Sequence, residues 1–155
     1  MICYPNAKIN LGLKIISRRA DGFHNIESFF VPIPLCDILE VKRQSSLLKE
    51  TKVTYSGLCS NRIKNDLVIR AFDLLSNDFP LDPVRIHLHK NIPIKSGLGG
   101  GSSDGAFMLM MLNNLFSLKL SNIQLVNYAR YLGSDCPFFI KNQFSHVSSV
   151  GDKIK

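Results

Sequence analysis

Polar and apolar positions alternate from the seventh residue onward. Ala7, Ile9, Leu11, Leu13 and Ile15 share one face, and Lys8, Asn10, Gly12 and Lys14 the other. A period of two is that of a half-buried strand with a polar second face. Arg18-Arg19-Ala20-Asp21-Gly22 interrupts it as a turn, and its Asp-Gly pair favours a tight one. The returning strand is expected over residues 23–31, ended by Pro32 and Pro34. Residues 38–41 and 53–55 read as two further strands around a polar loop at Ser45-Ser46, so the opening third has an antiparallel β character.

The period lengthens after Asn65-Asp66. Leu67, Val68, Ala71, Leu74 and Leu75 form the apolar stripe of a helix, capped by Asn65 or Asp66. Pro80 and Pro83 frame the passage to a strand that sets Val84, Ile86 and Leu88 against Arg85, His87 and His89. Residues 106–112 are apolar nearly all round, the mark of a central buried helix, whose methionines read as core filler. Ser102, Ser103 or Asp104 could cap it. Ser121 with Gln124 forms the capping box of a third helix, with Gly133 placed as its C′ residue. A short strand is expected at 138–140 and another near His146-Val147, and residues 150–155 resemble a turn and the start of a strand that is not completed.

Composition narrows the class. The 155 residues are 45% hydrophobic and 20% charged, enough for one domain with a real core and too apolar for global disorder. The net charge of +7 suits anionic partners. The cations are scattered, however, with pairs such as Arg18-Arg19 and Lys42-Arg43 as the densest groups, so a small phosphorylated ligand ranks above nucleic acid. Cys3, Cys36, Cys59 and Cys136 form no zinc or C-x-x-C spacing. No signal peptide and no run of membrane-spanning length is visible, so a reduced cytoplasmic setting is expected.

The chemistry concentrates in Ser96-Gly97-Leu98-Gly99-Gly100-Gly101-Ser102-Ser103-Asp104, between a strand and a helix. Glycines let backbone amides approach a ligand closely, and a helix starting there turns its unpaired N–H groups toward the loop, an arrangement that favours phosphate. The patterns G-x-x-x-x-G-K-[ST] and G-x-G-x-x-G both fail here. On composition alone, a flexible Gly/Ser turn fits as well. Lys8 and Asn10 share the polar strand face, and Asp135 follows a helix beside Cys136-Pro137. Taken singly, Lys8 and Asp135 read as solvated surface charges. His87 and His89 are two apart on one strand face without a matching Cys or carboxylate cluster, which favours a solvated face over a metal site. His146 has no evident partner, and Cys136 has no adjacent histidine to make it a nucleophile.

Pro93-x-x-x-Gly97-Leu98-Gly99-Gly100-Gly101-Ser102-Ser103-Asp104 resembles the ATP-phosphate loop of the GHMP kinases. Pro5-Asn6-Ala7-Lys8-Ile9-Asn10-Leu11, Arg18-Arg19-Ala20-Asp21-Gly22-Phe23-His24, Asn65-Asp66-Leu67-Val68 and Gly133-Ser134-Asp135-Cys136-Pro137-Phe138-Phe139 are similar, in order, to further segments of that family. The resemblance implies an α+β domain with a left-handed β-α-β crossover, related to a ribosomal-protein-like fold. It implies ATP with Mg²⁺ as cofactors, and phosphorylation of the 2-hydroxyl of diphosphocytidyl methylerythritol in non-mevalonate isoprenoid biosynthesis. Lys8 and Asp135 match the family's catalytic pair. Pro93 and the Gly97, Leu98, Gly99, Gly100, Gly101, Ser102 and Ser103 run match its phosphate site, and Asn65 and Asp66 its adenine side. Asn10, Phe23 and His24 match its substrate site. Asn6, Gly105 and Cys136 depart from the common residues. The resemblance covers the family's N-terminal domain, so residues 1–155 are expected to form that domain with the C-terminal domain absent and activity negligible. Another GHMP small-molecule kinase, or a nucleic-acid-binding module on the same fold, remain the alternatives.

Overall fold

The computed structural model describes residues 1–20, 22, 24–44, 50–59, 65–149 and 153–154. Its described strands form two four-stranded sheets. The first has the order β1 (Ile2–Cys3), β4 (Ile38–Arg43), β6 (Val84–Lys90), β5 (Lys52–Gly57). The second has the order β2 (Asn6–Arg18), β3 (His24–Cys36), β7 (Ser145–Ser149), β8 (Lys153–Ile154). The helices are α1 (Leu67–Asp78), α2 (Gly100–Leu115), α3 (Asn122–Leu132) and α4 (Cys136–Lys141). This is the mixed α+β architecture that the family resemblance implies.

The inward face of β6 carries Val84, Ile86 and Leu88, all buried, and meets Ala71 and Leu75 of α1 with Met108, Leu109 and Leu112 of α2 in one core. Phe138 and Phe139 of α4 join that core to Phe30 and Val147 of the second sheet. The apolar run at 106–112 is thus the central helix, as its pattern requires. Asp66 caps α1 by accepting from the Val68 amide at 2.8 Å, and the Ser121–Gln124 capping box opens α3.

Several local expectations are overturned. α2 begins at Gly100, with Gly99 as its N-cap, so Ser102, Ser103 and Asp104 lie inside the helix instead of capping it. Residues 138–140 are helical: a short, wholly buried apolar run has no period of its own, and Pro137 in the first turn with Asn142 closing the end sets the helix. Strand β3 runs through Pro32 and Pro34 to Cys36. Beyond Phe30 it pairs only with β2 among the described residues, so the missing N–H groups can face an open edge. β5 pairs with β6 in parallel, through α1 as the crossover, so the first sheet is mixed. Gly133 is the C-cap of α3 in extended backbone, its amide donating to the Ala129 carbonyl at 3.2 Å, and not a left-handed C′ residue. The alternation in β2 does not bury one whole face: Asn6–Lys8 are buried, but Leu11, Leu13 and Ile15 are exposed. The Arg18–Gly22 turn closes with the Gly22 amide donating to the Arg19 carbonyl at 3.2 Å. The Ser45-Ser46 loop and Asp21 lie outside the described residues.

Candidate active site

The glycine run leaves the end of β6 and turns at Gly99, which has φ 73°. The conformation alone favours glycine, and the space requires it. A Cβ at Gly99 would stand 3.0 Å from Phe139 Cζ, 3.1 Å from Lys8 Cγ and 3.2 Å from Lys8 Cε. The first intrahelical bond of α2 runs from the Ser103 amide to the Gly99 carbonyl at 2.9 Å. The amides of Gly100, Gly101 and Ser102 precede it and have no acceptor within the helix. No side chain caps them. They border a cleft of about 350 Å³ lined also by Asn65, Asp66, Pro93, Gly97, Gly99 and Asp135. Three donor amides at the positive end of a sixteen-residue helix suit an anion.

Lys8 approaches the same loop from β2. Its amide donates to the Leu98 carbonyl at 2.9 Å, which ties the strand to the glycine run. Its ammonium donates to Asn10 Oδ1 at 2.6 Å, lies 3.5 Å from Asp135 Oδ2 and sits 4.6 Å from the Phe30 ring centre. The Lys8 side chain is 4% exposed and that of Asp135 is 28% exposed. The cation is therefore sheltered while the carboxylate reaches the cleft. Asp135 occupies the N-cap position of α4 without making a side-chain cap bond, so its oxygens are not consumed by the helix. An ammonium beside a partly exposed carboxylate offsets its charge and leaves an oxygen open to a hydroxyl in the cleft.

The structure thus brings Lys8, Asn10, Asp135 and the glycine run together. Asn65 and Asp66 line the same cleft. Both oxygens of Asp66 are engaged, by the Val68 amide and the Tyr55 hydroxyl, which donates at 2.7 Å. Leu98 acts through its carbonyl, and Ser103 is buried, so neither lines the cleft. His24 is exposed at the far end of the β2–β3 hairpin, opposite Arg18, roughly 30 Å of strand contour from Lys8 at ~3.3 Å per residue. Phe23 lies outside the described residues.

Sequence reasoning missed three contributors. Phe30 supports the Lys8 ammonium, and Asn142 donates to Asn6 Oδ1 at 2.6 Å, bracing the strand before Lys8. Lys90, Asp37 and Asp104 form a buried ionic cluster behind the loop. The parity of β6 was the available signal for Lys90, which falls in the buried register of Val84, Ile86 and Leu88. The remaining candidates behave as solvated or structural groups. Ser56 Oγ lies within 2.9 Å of both His87 and His89, and no metal-binding cluster occurs among the described residues. His146 meets Glu27 at 3.0 Å. Burial pushes the Cys136 thiol up to about 12, which keeps it protonated and unreactive. A larger cavity of about 870 Å³ between β5 and α1 holds none of the candidate residues.

Residues 66–143 match the family model described as the GHMP kinases N terminal domain. The chain is 51% identical over 153 residues to a 4-diphosphocytidyl-2-C-methyl-D-erythritol kinase of Azobacteroides pseudotrichonymphae genomovar. CFP2, covering 98% of this chain and 56% of the relative. A solved 4-(cytidine 5'-diphospho)-2C-methyl-D-erythritol kinase superposes with a TM-score of 0.81 at 35% identity, over 100% of this chain and 54% of that one. The mevalonate kinase of Methanococcus jannaschii superposes with a TM-score of 0.70 at 13% identity, over 100% and 55%, a likeness of fold. The chain spans about half the length of the curated relatives it matches.

Proposed function

Since this chain belongs to the GHMP kinase family through its N-terminal domain, we propose that it forms the ATP-binding half of a 4-diphosphocytidyl-2-C-methyl-D-erythritol kinase. The observation that carries the reading is the Lys8–Asp135 pair at 3.5 Å beside an uncapped, glycine-started helix. In this reading the amides of Gly100, Gly101 and Ser102 hold the ATP phosphates, with Pro93, Gly97, Leu98, Gly99 and Ser103 shaping the loop. Asn65 and Asp66 flank the adenine.

Asp135 takes the proton of the substrate's 2-hydroxyl as its oxygen attacks the γ-phosphorus. The bond from that phosphorus to the β–γ bridging oxygen breaks, and ADP leaves with the electron pair. Lys8 is the electrostatic partner of Asp135 and offsets charge on the transferring group, while Asn10 fixes the ammonium. The cleft offers hard oxygen donors, which fit Mg²⁺ carried mainly by phosphate and water, and Asp135 is the side chain that would touch it. Bound with ATP, Mg²⁺ supplies neutralisation of phosphate charge. Phe23 and His24 are assigned to the cytidine end of the substrate, through aromatic stacking and base-edge hydrogen bonding.

The relatives' names support the substrate class, and their greater length leaves room for a second domain that closes the cleft. No described helix is long and apolar enough to cross a membrane. The test joins this chain to the second half of the Azobacteroides relative and follows ADP release with the diphosphocytidyl substrate, identifying the product by phosphorus NMR. Phosphorylation at the 2-hydroxyl is expected from the joined form and negligible turnover from residues 1–155. Phosphorylation of mevalonate or homoserine in preference would overturn the substrate assignment.

A further inference from the structure

Two carboxyls and one ammonium are sealed together behind the glycine loop. Lys90, at the end of β6, is 2% exposed, Asp37, between β3 and β4, is 0%, and Asp104, in the first turns of α2, is 2%. Lys90 Nζ donates to Asp37 Oδ2 in a short contact and to Asp104 Oδ2 at 2.6 Å. With both carboxyls ionised the cluster would hold an uncompensated negative charge in the protein interior, a costly arrangement.

The two carboxyls are not equivalent. Asp37 Oδ1 also accepts from the Asn91 amide at 2.6 Å and from the Ile92 amide at 2.8 Å. Asp104 Oδ1 is buried and has no hydrogen-bond partner among the described residues. Among the described residues Asp37 therefore accepts from three donors and Asp104 from one, so Asp104 is the less favoured anion of the two and holds the proton. The cluster also lies where charge matters. Lys90 and Asp104 both border the cleft that Gly100, Gly101 and Ser102 line, and a Cβ on Gly100 would stand 3.4 Å from Lys90 Nζ.

We propose that Asp104 is a positioning residue that works in its protonated form: the Lys90–Asp37–Asp104 cluster ties the start of α2 to the end of β6 and, with one carboxyl neutral, places no net charge beneath the phosphate cradle. This rests on the phosphate reading of the loop. A fixed α2 start holds the three open amides in register, and a neutral floor avoids repelling the phosphates above it. Ionising Asp104 adds one negative charge under an anionic ligand.

The surroundings agree with the geometry. Burial pushes the Asp104 carboxyl up to about 8, with Lys90 pulling against it and Asp37 adding to it. Burial works against the Lys90 ammonium, but Asp104 and Asp37 more than offset this and hold its pKa above the ordinary value. The other titratable groups facing the cluster are Cys3 of β1, whose thiol burial and then Asp104 push up to about 12, and the cleft residues Asp66, Lys95 and Asp135.

The test compares the parent chain with Asp104→Asn, which mimics the protonated acid, and Asp104→Ala, which cuts the tie. Without nucleotide, thermal stability is followed from about pH 5 to about pH 9. The native state keeps a proton that the unfolded chain releases near its ordinary carboxyl value. Parent stability should therefore fall relative to Asp104→Asn as pH rises toward 8, by up to about tenfold in the folding constant per pH unit, and then level off. A parent that gains on the variant over that range refutes the proton. ATP titration gives the second arm. Asp104→Asn should stay within about threefold of the parent near neutral pH, and Asp104→Ala should lose at least about tenfold. Parent affinity should weaken above pH 8 and that of Asp104→Asn should not. Equal losses in the two variants with the fold intact, or superposable pH profiles of parent and Asp104→Asn, refute the positioning role. If Asp104→Ala does not fold, Lys90→Met provides the cut. A parent that binds no ATP at any pH overturns the phosphate reading and the positioning role with it, while the stability curves still decide the proton.

Discussion

Gly101→Val separates ligand binding from folding at the glycine run. Gly101 is exposed, in the first turn of α2, and a Cβ there meets nothing within 4 Å. Glycine is the poorer helix former, so valine should leave stability unchanged or raise it by about 0.3 kcal/mol. That corresponds to a shift of roughly 1 °C in the thermal midpoint of a chain this size. Gly101 lines the cleft, so a valine there should crowd a ligand that approaches the open amides of Gly100, Gly101 and Ser102. Hydrogen bonds to charged acceptors are worth about 1.5–3 kcal/mol each, so losing two predicts a weakening of ATP binding of at least about a hundredfold. Isothermal titration with ATP, beside a melting curve, reads both quantities. Gly100→Val is the contrast: its Cβ would lie 2.7 Å from Cγ2 of the buried Ile92, so stability itself should drop by about 1–3 kcal/mol. A Gly101→Val protein that melts normally and binds ATP within threefold of the parent would show that phosphate does not sit on these amides.

Gly99→Ala should lose about 1–2 kcal/mol from left-handed backbone alone, and its Cβ would also press on Lys8, so turnover of the joined form should fall more than the melting curve explains; unchanged kinetics would disconnect Gly99 from Lys8. In the same form, Asp135→Asn should lower kcat by about 10²–10⁴, and adding Lys8→Ala should cost little more if the two act as a unit; near-normal turnover in Asp135→Asn removes it as the base. Gly105→Ala would bring a Cβ to 2.9 Å from Leu67 Cβ and 3.3 Å from the Leu67 carbonyl oxygen. The overlap should outweigh the gain of about 1 kcal/mol in helix propensity, so the melting temperature should fall, and a rise would show that α1 and α2 separate at little cost.

What the sequence made legible is what lies close together along it. The glycine run, the Asp66 cap and the Ser121–Gln124 box depend on neighbours within a few residues, and each appears in the structure. The start of α2 was misplaced because glycines and serines signal a loop, while here Gly100 and Gly101 are helical and the left-handed turn falls one residue earlier. Residues 138–140 read as a strand because three apolar residues carry no period, and burial on every side suits either element. Lys8 and Asp135 looked like solvated charges because no local rule joins a strand near one end of the chain to a helix cap near the other. Only the family resemblance paired them. Lys90 could have been flagged from its parity in β6, but its partners Asp37 and Asp104 are supplied by tertiary packing.

Gly99 is where that packing converges. Cβ-sized space beside it is already filled by Phe139 from α4 and by the Lys8 stem from β2, while its own carbonyl starts the hydrogen-bond ladder of α2. Asp135 opens the helix that carries Phe139, and the Lys8 amide holds the Leu98 carbonyl next door. The cradle, the cation and the carboxylate are therefore held through one small contact region, not by three independent supports. A shift of α2 would move the open amides and the Lys8 ammonium together. That linkage lets a domain of two sheets hold groups from three distant segments in one geometry. It also means that substitutions at Gly99, Lys8 and Phe139 should not add, since each disturbs a surface that the other two share.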